Sequence, residues 1–387
     1  MLNLKNKKIT ILSGGSAIKD IMFELLNYAE DITRVVPSTD NGASSKELRD
    51  CYDILSVGDI RQSLAMSIPH TQQNKQLVKF INWRFPVEEN ISMDALEQLL
   101  LDRKSVLYQI SNNLPMQEEL FEYLSLFLER AKKEPLNLSN GSIGNFILVA
   151  AYFKQHHDWN EAIESLERLF GCNSKVLPIY LNNQYHLKAK FHNGTVICGE
   201  SEISSFCANR KKEIESLEIT LLKEHKFVDV EPEVNPKVLR SLEASKLIVF
   251  SPGSFFTSIL PHLRNKEVPL ALFNNKKAKK VFLMNLAEDE ETMGYTAKDI
   301  IDIIAYLATK QGYRLSDFIT HIIIHNHYKQ VSFLNRQKEK QRYIQTGNLE
   351  GCLKEGICVI IEELEDPWKR GEFDAQEVVA VLHRLME

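Results

Sequence analysis

Four short segments of this chain are apolar or β-branched along most of their length, and each stops at small or acidic polar residues. Lys8–Leu12 runs into Ser13-Gly14-Gly15-Ser16, and Thr33–Pro37 into the polar loop Ser38–Ser45. Leu247–Phe250 runs into Ser251-Pro252-Gly253-Ser254, and Lys280–Leu286 into Ala287-Glu288-Asp289. Strands without polar alternation are covered on both faces, which predicts a mostly parallel sheet with helices on each side. Apolar residues at helical spacing directly after the first turn (Ile18, Ile21, Met22, Leu25, Leu26) supply one such cover. The fold class is therefore α/β. In an open parallel sheet ligands bind outside the carboxyl ends of the strands, where all four loops fall.

The rest of the chain fits one elaborated domain over 1–387, with no internal repeat and no proline- or serine-rich linker. Residues 72–135 are charged, helical in pattern and poor in strand signals, which predicts a helical insertion or cap. Val176–Leu181, Tyr185–Phe191 and Thr195–Cys198 read as short strands, with Asn193-Gly194 a hairpin turn between the last two. A late strand is expected at His321–His325, then a closing strand at 357–362 and a helix at 375–386.

Of the 387 residues, 44% are hydrophobic and 26% charged, enough apolar material for a large core. The net charge of −5 argues against a general nucleic-acid binder while leaving room for a local phosphate site. No two of the six cysteines have C-x-x-C spacing, so reduced thiols in a cytoplasmic protein are expected. The N-terminal apolar run is too short for a signal-peptide core or a bilayer span, and the longest runs elsewhere are of core-helix length, so no membrane association is expected.

Each loop admits two readings. Ser13–Ala17 presents either backbone N–H groups to a phosphate or a tight turn with Ser16 as helix N-cap. Asp40-Asn41-Gly42-Ala43-Ser44-Ser45 offers oxygens suited to Mg²⁺ with a diphosphate, or an Asx turn with Ser44 or Ser45 as cap. In Gly58-Asp59-Ile60-Arg61, a second carboxylate stands beside a guanidinium able to grip phosphate; the alternative is a cap and a surface charge. Ser251–Ser258 repeats the strand–turn–helix theme, and two such mouths on one edge would suit the two phosphates of a nucleoside diphosphate. No G-x-S-x-G elbow supports Ser251 as a nucleophile. His321, His325 and His327 could share a strand face and hold a metal, but half-buried strand histidines are the expectation. Lysines 276, 277, 279 and 280 read as a solvated turn before a strand.

Together these loops resemble the family of 2-phospho-L-lactate transferase (CofD) and the bacterial gluconeogenesis-factor proteins. That family carries G-G-G-T-G, D-[DN]-G-G-S-[ST], P-x-G-D-[IL]-R, a G-N helix start, G-P-G-S-[LF]-[YF]-T-S and E-T-x-G-[YF]-T. The counterparts stand here in the same order at Ser13–Ala17, Asp40–Ser45, Gly58–Arg61, Gly144-Asn145, Ser251–Ser258 and Glu291–Thr296. The stretch Asn140–Phe146 is most similar to a longer branch also found in plants and fungi. Ser13, Ala17, Ala43 and Ser251 depart from the commonest residues.

The resemblance implies a Rossmann-like sheet and a cleft for nucleotide-linked ligands. It makes Asp40 and Asp59 the Mg²⁺ or acceptor ligands, and with Arg61 the catalytic set. Asn41, Ser44, Ser45 and Asn145 would line the nucleotide or acceptor site, while Gly14, Gly15, Ser16, Gly253 and Ser254 would cradle phosphate. The expected ligand is a nucleoside diphosphate or nucleotide sugar. Two functions follow: a transferase in which an acceptor hydroxyl attacks a nucleotide-linked diphosphate with Mg²⁺, or a non-catalytic regulator that binds a UDP-sugar. Monomer and homodimer both stay open.

Overall fold

The structure, a computed structural model, describes the chain except residues 1–3, 73, 88–91, 113, 135, 209–212, 224–225, 327–341 and 370, and the side chains at 43 and 44. Eleven strands occur among the described residues: β1 (Lys8–Leu12), β2 (Asp31–Val36), β3 (Lys175–Pro178), β4 (Tyr185–Phe191), β5 (Val196–Cys198), β6 (Ile214–Lys223), β7 (Lys226–Asp229), β8 (Leu247–Phe250), β9 (Lys279–Leu283), β10 (His321–His325) and β11 (Cys358–Glu362). Seven form one sheet in the order β11-β10-β9-β8-β1-β2-β3, and every pairing in it is parallel. The α/β architecture expected from the apolar strands is present.

Both faces of this sheet are covered. Leu12, Ile248, Phe250, Phe282 and Ile322 face the helices Pro236–Ala244, Glu267–Asn274 and Ala297–Lys310. Ile9, Ile11, Leu247, Val249 and Val281 face Lys19–Leu25 and Ala375–Arg384. This double burial is why the strands read as continuous apolar runs. β4, in contrast, alternates buried and part-exposed residues, as a strand with one solvated face must. It belongs to a second, antiparallel sheet, β5-β4-β6-β7, whose β4–β5 hairpin turns through Gly194 at φ 84°. Within this second sheet the strand reading covered only the hairpin; β6 and β7, and the helix Glu200–Cys207 that follows β5, carried no signal strong enough to find them.

Helices Asn74–Asn82, Met93–Leu101, Val106–Ser111 and Gln117–Ala131 lie within 72–135. They share one apolar cluster with Gly58–Ser67, Ile143–Lys154 and Trp159–Phe170, so this region has its own core beside the sheet. Phe127 and Phe146 stack at its centre, ring centroids 4.4 Å apart and planes within 9°. Lys280 corrects the solvated-turn reading: it is buried in β9, and its Nζ donates to the Asp317 carbonyl at 2.8 Å. All six cysteines are free thiols. No helix among the described residues is long and apolar enough to cross a membrane.

Phe146→Ala should remove the stacked ring and leave a cavity that rigid helices cannot fill. A loss of about 3–5 kcal/mol is expected in urea unfolding. A loss below about 1 kcal/mol would mean that the helical core closes freely over the gap.

Candidate functional site

Strand order reverses at β1: β2 and β3 lie to one side, β8 to β11 to the other. A crevice opens at such a switch point, outside the carboxyl ends. A cavity of about 650 Å³ occupies it, lined by Ser16 and Ala17 after β1, Gly253 and Ser254 after β8, and Asn285 and Asp289 after β9. Gly253 has φ 150°, a conformation that favours glycine, and its backbone is held by Asn285. The Gly253 N–H donates to Asn285 Oδ1 and the Asn285 amide returns a bond to the Gly253 carbonyl, both at 2.8 Å.

The first loop is pressed between two others. A Cβ on Gly14 would lie 2.8 Å from Ser258 Cβ, and one on Gly15 would overlap the Asp59 carboxylate. Backbone contact this close requires glycine at both positions. The following helix takes Ile18, not Ser16, as its N-cap, so the capping alternative for Ser16 is not what forms. Ser16 instead lines the cavity.

Asp40, in the loop after β2, lies next to Gly58, and the adjoining Asp59 packs against Gly15 in the loop after β1. Asp40 closes an Asx turn, accepting from the Gly42 N–H at 2.7 Å and from Ser56 Oγ at 3.3 Å. Gly42 is the N-cap of the next helix without a side-chain cap, so neither serine caps it. Ser45 is buried, and its Oγ and Asp40 Oδ2 lie 2.9 and 3.4 Å from where a Cβ on Gly58 would stand. The side chain of Ser44 lies outside the described residues. Asp59 sits in the first turn of Gly58–Ser67, whose N-cap is Val57. Burial, and then the Asp40 charge, push its carboxyl from the ordinary 3.8 to about 7, against the pull of Arg34 and Arg61. Arg61 is buried; it donates to Asn145 Oδ1 at 3.3 Å and to Asn82, so its hydrogen-bond donors meet amides while its charge favours ionised Asp59.

Three features escaped the sequence reading. The helix Glu200–Cys207 reaches over the Asp40 loop: Asn41 Nδ2 donates to Glu202 Oε2 at 2.7 Å, and the Ser201 N–H donates to Asn41 Oδ1 at 3.0 Å. Glu200 is part-buried near Asp40 and Asp59; its Oε2 is buried with no hydrogen-bond partner among the described residues, and desolvation followed by repulsion from those acids pushes its carboxyl well up. Glu291 lies beneath the β8 mouth, accepting from the N–H groups of Phe256 and Thr257 at 3.1 and 3.0 Å. Arg34, fully buried in β2, donates to the carbonyls of Gly14 at 3.0 Å and Gly15 at 3.4 Å. Glu291 had a cue, as the acid opening the E-T-x-G-[YF]-T segment.

No group of three or more His, Cys, Asp or Glu side chains among the described residues is arranged to hold a metal by itself. Mg²⁺ commonly takes only one or two carboxylates and completes its shell with substrate phosphates and water. Asp40 and Asp59 repel each other, and Asp59 packs against Gly15, next to the cavity-lining Ser16; two carboxylates are the number such a shell asks of the protein. His321 is tied to Thr320 at 2.8 Å and His325 accepts from the Leu364 N–H at 3.0 Å, as strand histidines. His327 lies outside the described residues.

Comparison with known proteins shows the family and the fold. The family described as 2-phospho-L-lactate transferase CofD matches residues 9–365. A Thermoanaerobacterium thermosulfurigenes protein named "Putative gluconeogenesis factor" is 26% identical over 388 residues, covering 99% of this chain and 98% of that one. A Streptococcus pyogenes protein of the same name is 27% identical over 302 residues, 78% of this chain and 74% of that one. A crystal structure of a UPF0052 family member from Bacillus halodurans superposes with a TM-score of 0.71 at 21% identity, covering 98% of this chain and 99% of that one. At that identity the likeness shows the fold.

The raised Asp59 carboxyl makes stability depend on pH. The folded chain binds this proton more tightly than the unfolded one, so the stability it contributes is full below about pH 3.8 and lost as pH rises through about 7. Asp59→Asn cannot ionise. In chelator, thermal melting should show the variant more stable than wild type near pH 8, with the margin shrinking toward pH 4. Parallel melting curves at all pH values would show that Asp59 ionises without cost.

Proposed function

Since the chain belongs to the 2-phospho-L-lactate transferase (CofD) family, we propose that it binds a nucleotide-linked diphosphate in the cavity with Mg²⁺ and transfers its phosphorus-containing group to an acceptor hydroxyl. The observation that carries this reading is the pairing of Asp40 and Asp59 at the strand ends beside two glycine–serine mouths. A diphosphate and two carboxylates repel unless a cation lies between them, so the acids and the phosphate cradle make sense together only with a divalent ion. Asp40 and Asp59 would hold it. Bound there, it would neutralise the diphosphate and the charge that develops during transfer.

The protein's part is positioning and charge. Gly14, Gly15, Ser16, Gly253 and Ser254 would cradle the phosphates. Asn41, Ser44 and Ser45 border the carboxylate side, where the acceptor would enter. Arg61 and Asn145 act from behind, holding the negative charge on Asp59. The acceptor oxygen forms the new bond to phosphorus as the bond to the nucleoside monophosphate breaks. The proton of the hydroxyl passes to a carboxylate of the cluster. Little covalent chemistry is asked of the side chains, as is general for such displacements.

A second reading has its own support. The relatives named "Putative gluconeogenesis factor" favour a regulatory role, in which the same cleft would hold a UDP-sugar without turnover. Isothermal titration with UDP, GDP and UDP-sugars, in Mg²⁺ and in chelator, tests what both readings share. Asp40→Asn and Asp59→Asn should each weaken Mg²⁺-dependent binding at least about tenfold, with little loss of stability. Equal affinity in wild type and both variants, with and without Mg²⁺, would overturn the site. Release of nucleoside monophosphate only when a hydroxyl acceptor is present selects the transferase; saturable binding without release selects the regulator.

A further inference from the structure

Arg34 is the largest side chain buried below 2% exposure in this protein. It carries a charge into the sheet, and every hydrogen-bond acceptor described for it is neutral. Nε and Nη2 donate to Ser13 Oγ at 3.4 and 3.2 Å, Nη1 meets Met66 Sδ at 3.2 Å, and Nη2 also reaches the carbonyls of Gly14 and Gly15. His262, also fully buried, places Nε2 3.3 Å from the carbonyl of the preceding residue, Ser13. Its Nδ1 has no partner, so Nε2 carries the proton and donates. Three consecutive carbonyls, Ser13, Gly14 and Gly15, are thus drawn inward by two buried side chains from β2 and from the segment after β8.

A trans peptide points its N–H opposite to its C=O. The N–H groups that share peptide planes with those carbonyls belong to Gly14, Gly15 and Ser16, and all three are turned away from the buried layer. None of them meets an acceptor among the described residues. Ser16 and Ala17, next along the chain, line the cavity. Successive N–H groups converging in this way form an anion-binding concavity.

We infer that Arg34 and His262 are positioning residues that aim the N–H groups of Gly14, Gly15 and Ser16 at one phosphoryl group of the ligand, with the buried guanidinium adding positive potential from beneath. The inference rests on the diphosphate reading above and names the part of the cleft that takes one phosphate. The ligand chemistry is a phosphate or diphosphate dianion, recognised by backbone and not by a cationic side chain. An uncharged sugar or an adenine ring gains nothing there.

Inorganic pyrophosphate is the probe. In wild-type protein labelled with ¹⁵N-glycine and ¹⁵N-serine, saturating pyrophosphate with Mg²⁺ should move the amide protons of Gly14, Gly15 and Ser16 downfield. Arg34→Met should weaken pyrophosphate binding at least about tenfold, and His262→Leu should weaken it less. His262→Gln keeps an N–H donor and should restore the affinity lost in His262→Leu. A residue that only stabilised the fold would lower the melting temperature without this rescue and without changing affinity in the folded fraction. If Arg34→Met does not fold, the wild-type amide shifts and the His262 pair decide. Folded Arg34→Met with wild-type affinity, or unmoved loop amides at saturation, would overturn the inference. Nucleoside diphosphate binding that leaves these amides unmoved removes the inference and spares the proposed function. Pyrophosphate on these amides with no affinity for any nucleoside diphosphate does the reverse.

Discussion

Charge buried at the carboxyl edge of the large sheet is the constraint on which this molecule depends. Arg34 rises from β2 into a layer with no exposed surface, and burial lowers it only to about 10, so it keeps its proton at neutral pH. An isolated charge in such a place is costly unless hydrogen bonds surround it. Its partners are the loop carbonyls after β1, which ties the conformation of that loop to the solvation of the guanidinium. Gly14 and Gly15 then follow from packing, since Ser258 and Asp59 occupy the space where side chains would stand. The loop, the β8 mouth and Asp59 are therefore one structural unit, although they are far apart in sequence.

The carboxylates carry the opposite sign of the same problem. Asp59, Glu200 and Glu291 are all raised, each first by burial and then by other acids around it. Arg34 and Arg61 counter this at Asp59 and Arg49 counters it at Glu200, while among the described residues their hydrogen-bond donors meet carbonyls, amides, a hydroxyl, a thioether and an imidazole. A direct ion pair would satisfy the acids internally. Keeping the guanidinium groups one layer back leaves carboxylate oxygens for something else to neutralise. Glu200 shows the consequence, a buried oxygen with no hydrogen-bond partner in a site crowded with negative charge.

The strand ends were legible because a strand buried on both faces leaves an uninterrupted apolar signature, and the polar residues that end it are then conspicuous. Asp40 and Gly253 follow such signatures directly, and Asp59, in the first turn of Gly58–Ser67, packs against the loop that ends a third. Arg34 was not legible for the complementary reason: one cation within Asp31–Val36 reads as an ordinary interruption, and nothing local says that the loop after β1 will lie over it. Glu200 was hidden by scale. Its helix has eight residues and follows a three-residue strand, so neither element offers enough periods for its pattern to stand out. Gly199 was the available cue, a glycine between strand and helix like the other mouths; its φ of 103° and the Asn41 amide 2.5 Å from where a Cβ would stand explain the residue.

The small antiparallel sheet is what makes the site more than a bare sheet edge. Without the helix after β5, Asn41 would have lost its partners Ser201 and Glu202, and the Asp40 loop would be held mainly by its own Asx turn and Arg49. With it, the acids are pressed between two layers, and burial becomes the largest influence on their protonation. Desolvation of this kind strengthens every remaining electrostatic contact, including any made to a cation and a polyanion entering from the cavity. The second sheet thus does not add binding surface so much as lower the dielectric around carboxylates that the first sheet has placed.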